Sequence, residues 1–389
     1  MFWFFVGPAL VLSIVALRGE RRRARFVAER LEPDPGAQLP PATAIVPVKG
    51  PAEGLRENLA ALAAQEYPDY ELIVSARTAT DIPPGVLPGG VVVALGGATS
   101  AAASERVQNL VAGVRASRKR SAIFAFAGAD GRVSAGWLRA LAAPLAETGV
   151  GASTGYRWFA PEPPDFWSLM RSVWNAPIGG LLGPGNNPFV WGGSMAIRKE
   201  TFFELRIPDR WARAVSDDGE LNRAIRGAGR TIAFAPGAVV ASTGRTTAGE
   251  FLSWAKRQMA LTRVYFPRLW WGALAAHFFY CGGMAAAIVA SVRGSRGAEW
   301  ALVAQLGLGM LKGVNRATLA RAELPNLDAW FKRHGWVHAL WVPLGTWVWL
   351  AVLVSSAFSR SIGWRGRRHE LRQKAADGVP VPPGRANKS

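Results

Sequence analysis

Residues 1–17 (MFWFFVGPALVLSIVAL) contain no charge, and the thirteen that follow (RGERRRARFVAER) carry six Arg and two Glu. A cleaved signal peptide has its charge before the apolar run and a small-residue site behind it. The order here is reversed, which predicts an uncleaved anchor with its N-terminus outside and its basic flank in the cytoplasm. At ~1.5 Å per residue the run is about 25 Å long, a little short of a hydrocarbon core of ~30 Å. The competing reading is a helix buried in a soluble core, which these flanks disfavour.

Further long apolar stretches appear only after residue 265. Residues 269–292 and 336–358 are each long enough to span. Between them 301–311 (ALVAQLGLGML) suits a re-entrant segment, an interfacial one or a short span. The tail from Ser359 has eight basic and two acidic residues and so prefers the cytoplasm. Two C-terminal spans after a cytoplasmic domain keep it there, and three place it outside.

The whole chain of 389 residues has 46 Lys+Arg against 27 Asp+Glu, a net charge of +19, and only eight of its bases are Lys. Such a balance suits nucleic acid or an anionic membrane surface. Many of the bases lie beside the apolar runs, where each is worth ~1 kcal/mol against anionic headgroups. No zinc-finger, basic-zipper or RNA-recognition signature accompanies them, so the membrane is the expected partner and nucleic acid is not. The Arg-heavy usage points towards a bacterial inner membrane. One cysteine rules out an intramolecular disulfide, and four histidines argue against a His/Cys zinc site.

Residues 41–265 read as an α/β domain, following a basic linker over 18–40. Short apolar runs at 43–48, 70–74, 90–95 and 121–127 alternate with helical patterns at 53–65, 103–117 and 137–147. This order predicts a mostly parallel sheet with its ligands beyond the carboxyl ends of the strands, where Arg77 and Asp130 fall. Residues 166–191 mix aromatics with Gly and Pro and lack any acid. They fit a hydrophobic loop on the core, or a segment dipping into the membrane interface. Gly192-Gly193-Ser194-Met195-Ala196 then reads as a tight turn. A helix from Gly219 to Arg226 carries Asp217 and Asp218 at its N-terminus, a common capping arrangement.

Pro47-Val48-Lys49-Gly50, Asn58-Leu59 and Tyr67-Pro68-Asp69-Tyr70-Glu71 together resemble the opening of the ceramide glucosyltransferase branch of family 2 glycosyltransferases. GADGRV around Asp130 and GGSMAIRKE from Gly192 resemble its middle; SDDGEL from Ser216 and GEFLSWAKRQMALTRVY from Gly249 resemble its end. The resemblance covers about residues 43–265. It implies a GT-A fold, a Rossmann-like and mostly parallel α/β sheet, in a cytoplasmic domain flanked by N- and C-terminal transmembrane helices. It further implies a nucleotide-sugar donor, a divalent cation (Mg²⁺ or Mn²⁺) and inverting transfer to a lipid hydroxyl. Asp218 falls on the catalytic base, with Asp217 beside it on the donor side. Asp130 falls on the closing acid of the metal signature, and Trp254 on the tryptophan of the last motif. Gly192, Gly193 and Ser194 fall on the acceptor side.

The chain departs from the family pattern at several places. Thr78 stands at the first aspartate, with Asp81 the nearest acid, and Gly128 stands at the leading acid of the D-x-D form. The last motif reads Glu250-Phe251-Leu252-Ser253-Trp254, without its Gln/Arg and its Arg; Arg257 and Gln258, a helical turn on, are the available substitutes. On chemical grounds an inverting transfer needs one carboxylate to take the acceptor proton, a role Asp218 or Asp217 can fill. The departing diphosphate needs positive charge, from a metal on Asp130 or from Lys49 and Arg257. The expected activity is transfer of glucose from UDP-glucose to a lipid such as ceramide. The alternatives are a non-catalytic protein that has kept the fold, or transfer to diacylglycerol or a hopanoid-type isoprenoid. The domain plan is therefore an anchor (1–17), a basic linker (18–40), the transferase domain (41–265), a C-terminal membrane region (266–358) and a basic tail (359–389).

Overall fold

The computed structural model describes residues 2–31, 39–97 and 103–359, together with the backbone of 361–364 and 367–370. The rest of the basic tail and part of the expected linker lie outside the described residues. Between residues 42 and 242 the strands are, in chain order, β1 (Ala42–Pro47), β2 (Tyr70–Ala76), β3 (Val92–Leu95), β4 (Ile123–Ala127), β5 (Val150–Thr154), β6 (Arg157–Phe159), β7 (Ser194–Arg198), β8 (Thr231–Phe234) and β9 (Val240–Ser242). Seven of them form one sheet in the order β3-β2-β1-β4-β7-β5-β8. All its pairings are parallel except those of β7, which runs against both β4 and β5. The mostly parallel α/β sheet read from the sequence is therefore present.

Both faces of this sheet are covered, so its central strands are continuous apolar runs. In β4 the side chains of Ile123, Ala125 and Ala127 pack on one face beside Leu59, Leu62 and Trp137. Phe124 and Phe126 pack on the other, beside Leu110, Phe202 and Trp211. The period of two that alternates side chains across a strand is thus used on both sides. The helix Leu55–Ala63 buries its leucines at helical spacing, as the sequence indicates. The expected helix over 137–147 is α-helical only for Trp137–Ala142 and tightens to a 3₁₀ turn over Ala143–Ala146, where Pro144 sits. The turn expected over 192–196 is confined to Gly192 and Gly193; Ser194 already opens β7.

A second, two-stranded sheet pairs β6 with β9 in parallel, and residue 132 forms an isolated bridge to Ala241. This ribbon binds the loop after β4 to the chain that follows β5. Residues 166–191 contain a helix, Phe166–Gly179, capped by the Asp165 side chain, in place of the loop reading. Asn175 on that helix takes a hydrogen bond from the Tyr156 hydroxyl (2.9 Å) and donates to the Arg157 carbonyl (2.8 Å). Trp174 stacks on Trp349 with ring centroids 4.1 Å apart, so the helix joins the ribbon to the C-terminal apolar helices.

The first helix runs from Phe2 to Arg30, straight through the basic segment that charge alone marks as a linker. Two helices, Phe2–Arg30 and Pro267–Val292, are long and apolar enough to cross a membrane, and Val342–Ala357 is a shorter apolar helix. Residues 301–311 lie inside a helix of 28 residues, Arg296–Glu323, rather than in an eleven-residue element. The stretch 336–358 is interrupted at Trp341 and resumes with Pro343 in its first turn. Phe4, Val11, Trp271, Phe278, Val289 and Trp300 point outward from these helices. Two buried ion pairs tie the first helix to Arg296–Glu323: Arg23 with Glu323 at 2.5 Å and Glu20 with Arg316 at 2.8 Å.

Candidate active site

Strand direction decides which loops meet. The parallel strand β4 ends at Ala127, and the antiparallel β7 begins opposite it at Ser194, so the Asp130 loop and the Gly192-Gly193 turn share one edge of the sheet. The exit of β5 towards Arg157 lies at the same edge, since Thr154 pairs with Met195. The helices Glu105–Ala116 and Asp217–Gly227 follow β3 and precede β8, so both begin there too.

Asp130 is fixed through its backbone. Ser242 Oγ donates to its carbonyl (2.6 Å), Asn58 Nδ2 donates to the carbonyl of Ala129 (3.0 Å), and Gly128 N–H donates to the carbonyl of Gly193 (3.0 Å). Its carboxylate receives both ends of the Arg157 guanidinium, Nη2 to Oδ1 at 2.5 Å and Nη1 to Oδ2 at 2.9 Å. Desolvation opposes ionisation here, but the Arg157 charge and hydrogen bonds, with Arg106 adding, outweigh it and bring the carboxyl to about 2. Over half of the Asp130 side chain is exposed, so the Arg157 contacts decide the direction.

Asp217 and Asp218 open their helix behind Ser216, whose hydroxyl accepts from Gly219 N–H (3.1 Å). Asp217 is buried and pairs with Arg106 Nε at 3.2 Å, while Arg106 Nη2 donates to the Gly192 carbonyl (2.6 Å). Asp218 accepts from Gly192 N–H (3.0 Å), from Gly219 N–H (2.8 Å) and from the Ser216 hydroxyl. Burial raises the Asp218 pKa, the adjacent Asp217 charge raises it further, and these hydrogen bonds only partly offset the rise. A carboxyl whose pKa is lifted above the ordinary range is the type of group that suits proton abstraction. Gly192 is required by contact: a Cβ there would stand 2.7 Å from Asp217 Oδ2.

The remaining expected residues are placed as follows. Lys49 pairs with Glu105 at 2.8 Å, next to Arg106. Gly193 hands its carbonyl to Gly128, whereas Ser194 is fully buried, accepting from Trp137 Nε1 and donating to the Ala238 carbonyl, so its hydroxyl serves the core. Trp254 packs edge-on to Phe159 and Trp174, a cluster that also carries cations: Arg171 lies 4.2 Å and Arg157 5.4 Å from the Phe159 ring. Arg257 and Gln258 are half-buried on the same helix, Ala248–Tyr265. Asp81 caps a 3₁₀ turn, accepting from Thr78 N–H and hydroxyl, and those bonds hold its pKa down. Sequence reasoning missed Arg106, Arg157 and Arg171; nothing marks them among 38 arginines until the chain is folded.

A resident divalent cation wants several oxygen ligands, at least one of them a free carboxylate. Both oxygens of Asp130 are engaged by Arg157, and the described residues contain no cluster of three or more His, Cys, Asp or Glu. The side chains present at this position do not fit a protein-built metal site.

Two solved structures are similar to the chain at low identity. Mannosyltransferase PcManGT from Pyrobaculum calidifontis, in complex with GDP-Man and Mn²⁺, aligns with a TM-score of 0.47 and 19% identity over 91% of this chain and 97% of that one. GalNAc-T7 with UDP, GalNAc and Mn²⁺ aligns with a TM-score of 0.40 and 12% identity over 62% of this chain and 52% of that one. No curated protein sequence matches. The profile of glycosyl transferase family 21 does match, over residues 1–377, and the chain therefore belongs to glycosyl transferase family 21, a family of enzymes that transfer sugars.

Proposed function

We propose that the chain is a membrane-bound inverting hexosyltransferase whose donor enters the recess between Asp130, Arg157 and the Asp217–Asp218 pair. The observation that carries this is Asp218 itself: a carboxyl with a raised pKa, held by the Gly192 and Gly219 amides at the carboxyl end of the parallel strands. In this reading Asp218 takes the acceptor proton, while Asp217, Lys49, Trp254, Arg257 and Gln258 serve the donor side. Gly192 and Gly193 shape the acceptor side. The donor is UDP-glucose by family resemblance.

A lipid acceptor of the ceramide type follows from the setting, and diacylglycerol or a hopanoid would suit the same approach. The outward apolar faces of the long helices support a catalytic domain held at a membrane, and the basic flank of the first helix favours its cytoplasmic side. Among those helices lies a cavity of about 180 Å³, lined by Ala9, Pro177, His277, Gly313 and Trp349. It backs onto the same helix, Phe166–Gly179, whose Asn175 holds the Arg157 backbone.

The test is release of UDP or GDP by detergent-solubilised protein given UDP- or GDP-sugars and lipid extracts, with Asp218→Asn as control. Lipid-dependent release that vanishes in the variant supports the enzyme. Thr78 and Gly128, where acids are missing, favour a second reading, a descendant that binds donor without turnover. Donor binding without release from any lipid extract would select it.

A further inference from the structure

The position of Gly128 shows what has replaced the missing acid. A Cβ built there would stand 3.0 Å from Asp130 Oδ1 and 3.3 Å from Arg157 Nη2. A carboxylate at residue 128 would project into the space that the Arg157 guanidinium fills. That guanidinium is largely buried and immobilised. It has two bonds to Asp130 and lies 4.9 Å from the Trp191 ring; Asn175 also holds its backbone carbonyl. Its Nε is buried without a hydrogen-bond partner. Each Nη atom has a second hydrogen beyond the one given to Asp130, so the guanidinium can still donate to an oxyanion. Arg106, paired with Asp217, and Arg171, over Phe159, act electrostatically on the Asp130–Arg157 pair.

Resting on the transferase reading above, we propose that transfer in this protein runs without a divalent cation, and that Arg157, oriented by Asp130, supplies the fixed positive charge that receives the donor diphosphate. In the step itself the acceptor oxygen forms a bond to the anomeric carbon. The bond from that carbon to the diphosphate oxygen breaks with its electron pair, and the acceptor proton passes to the Asp218 carboxylate. Charge growing on the diphosphate is met by a rigid guanidinium, whose fork is held by Asp130 and whose one remaining hydrogen on each Nη is left for a phosphate oxygen. Asp130 is here a positioning residue for Arg157 rather than a metal ligand.

The test is calorimetric binding of UDP and of GDP to the full chain in detergent, first in EDTA and then with Mn²⁺ or Mg²⁺. The expected result is one nucleotide bound in EDTA with affinity that added metal leaves unchanged, and about tenfold to a hundredfold weaker binding in Arg157→Ala. Arg157→Lys, which keeps the charge and loses the two-point hold on Asp130, should fall between. Should Arg157→Ala fail to fold, as judged by its melting curve, the wild-type comparison alone decides. The double variant Gly128→Asp/Arg157→Ala adds an acid beside Asp130 and removes its arginine, and its binding should become metal-dependent. Binding by the wild type only when metal is present would overturn the proposal and leave the transferase reading standing. No binding of either nucleotide under any condition would overturn both.

Discussion

At the residue scale Asp218 carries opposing demands of activity and stability. Its folded pKa lies above the unfolded value of about 3.9, so the folded state binds more protons between those two values. The favourable contribution is complete below the unfolded pKa and is lost as pH rises through the folded one. Asp218→Asn should therefore raise the melting temperature at pH 7 while lowering kcat by about 100-fold or more. Differential scanning fluorimetry and turnover on the same sample check both halves. In the wild type kcat/KM should climb with pH through the raised pKa, so its acid limb should sit above the ordinary carboxylate range. A limb at the ordinary value would remove Asp218 from the base role. The identities of Asp130, Asp217 and Asp218 as candidates were legible from motif order alone. Arg157 was not, because its meaning comes only from the carboxylate it faces.

At the scale of elements, the acid pair is aimed by a helix start. Ser216 caps Asp217–Gly227 through Gly219 N–H, and its hydroxyl also donates to Asp218. Ser216→Ala should cost about 0.5–2 kcal/mol of stability, measured by denaturant or thermal unfolding. It should also lower kcat more than it changes KM, since Asp218 loses a positioning bond while the donor contacts remain. Equal effects on both would mean that the cap serves folding alone. The four strands read from the sequence match β1 to β4, because buried parallel strands leave apolar runs that no helix period explains, whereas β5 to β9 went unread and β7 opens inside the expected turn. The middle of the chain does not agree. Residues 166–179 form a helix despite their Gly and Pro content, because Ser172 bonded to the Phe159 carbonyl, Asn175 bonded to the Arg157 carbonyl and Trp174 stacked on Trp349 override weak local propensity.

Over the whole molecule, the first helix is bolted to Arg296–Glu323 by buried ion pairs rather than by apolar contact alone. The Arg23 and Glu323 side chains are 8% and 3% exposed, so removing either partner strands the other charge. Arg23→Ala should cost about 3–5 kcal/mol, and Arg23→Ala combined with Glu323→Leu distinctly less. Thermal melting in detergent compares them, and equal destabilisation by the single and double variants would deny the pair that role. The same pairs explain why the helix persists past residue 17. Its basic turn is not a linker but a docking face, with Glu20 and Arg23 turned inward and the other arginines outward.

By itself the sequence determined the fold class and the first four strands. Apolar period and charge order gave the α/β middle, the apolar flanks and the acids at the strand ends, since each is a local property of consecutive residues. The fold alone decided the chemistry at Asp130. Whether a lone aspartate holds a metal or an arginine depends on what stands opposite it. Here that group arrives from 27 residues away, on a ribbon between β6 and β9 that has no local sequence signature. Long-range pairing of this kind is set by the direction of the strands and by side-chain packing, and neither is written in any single stretch of chain.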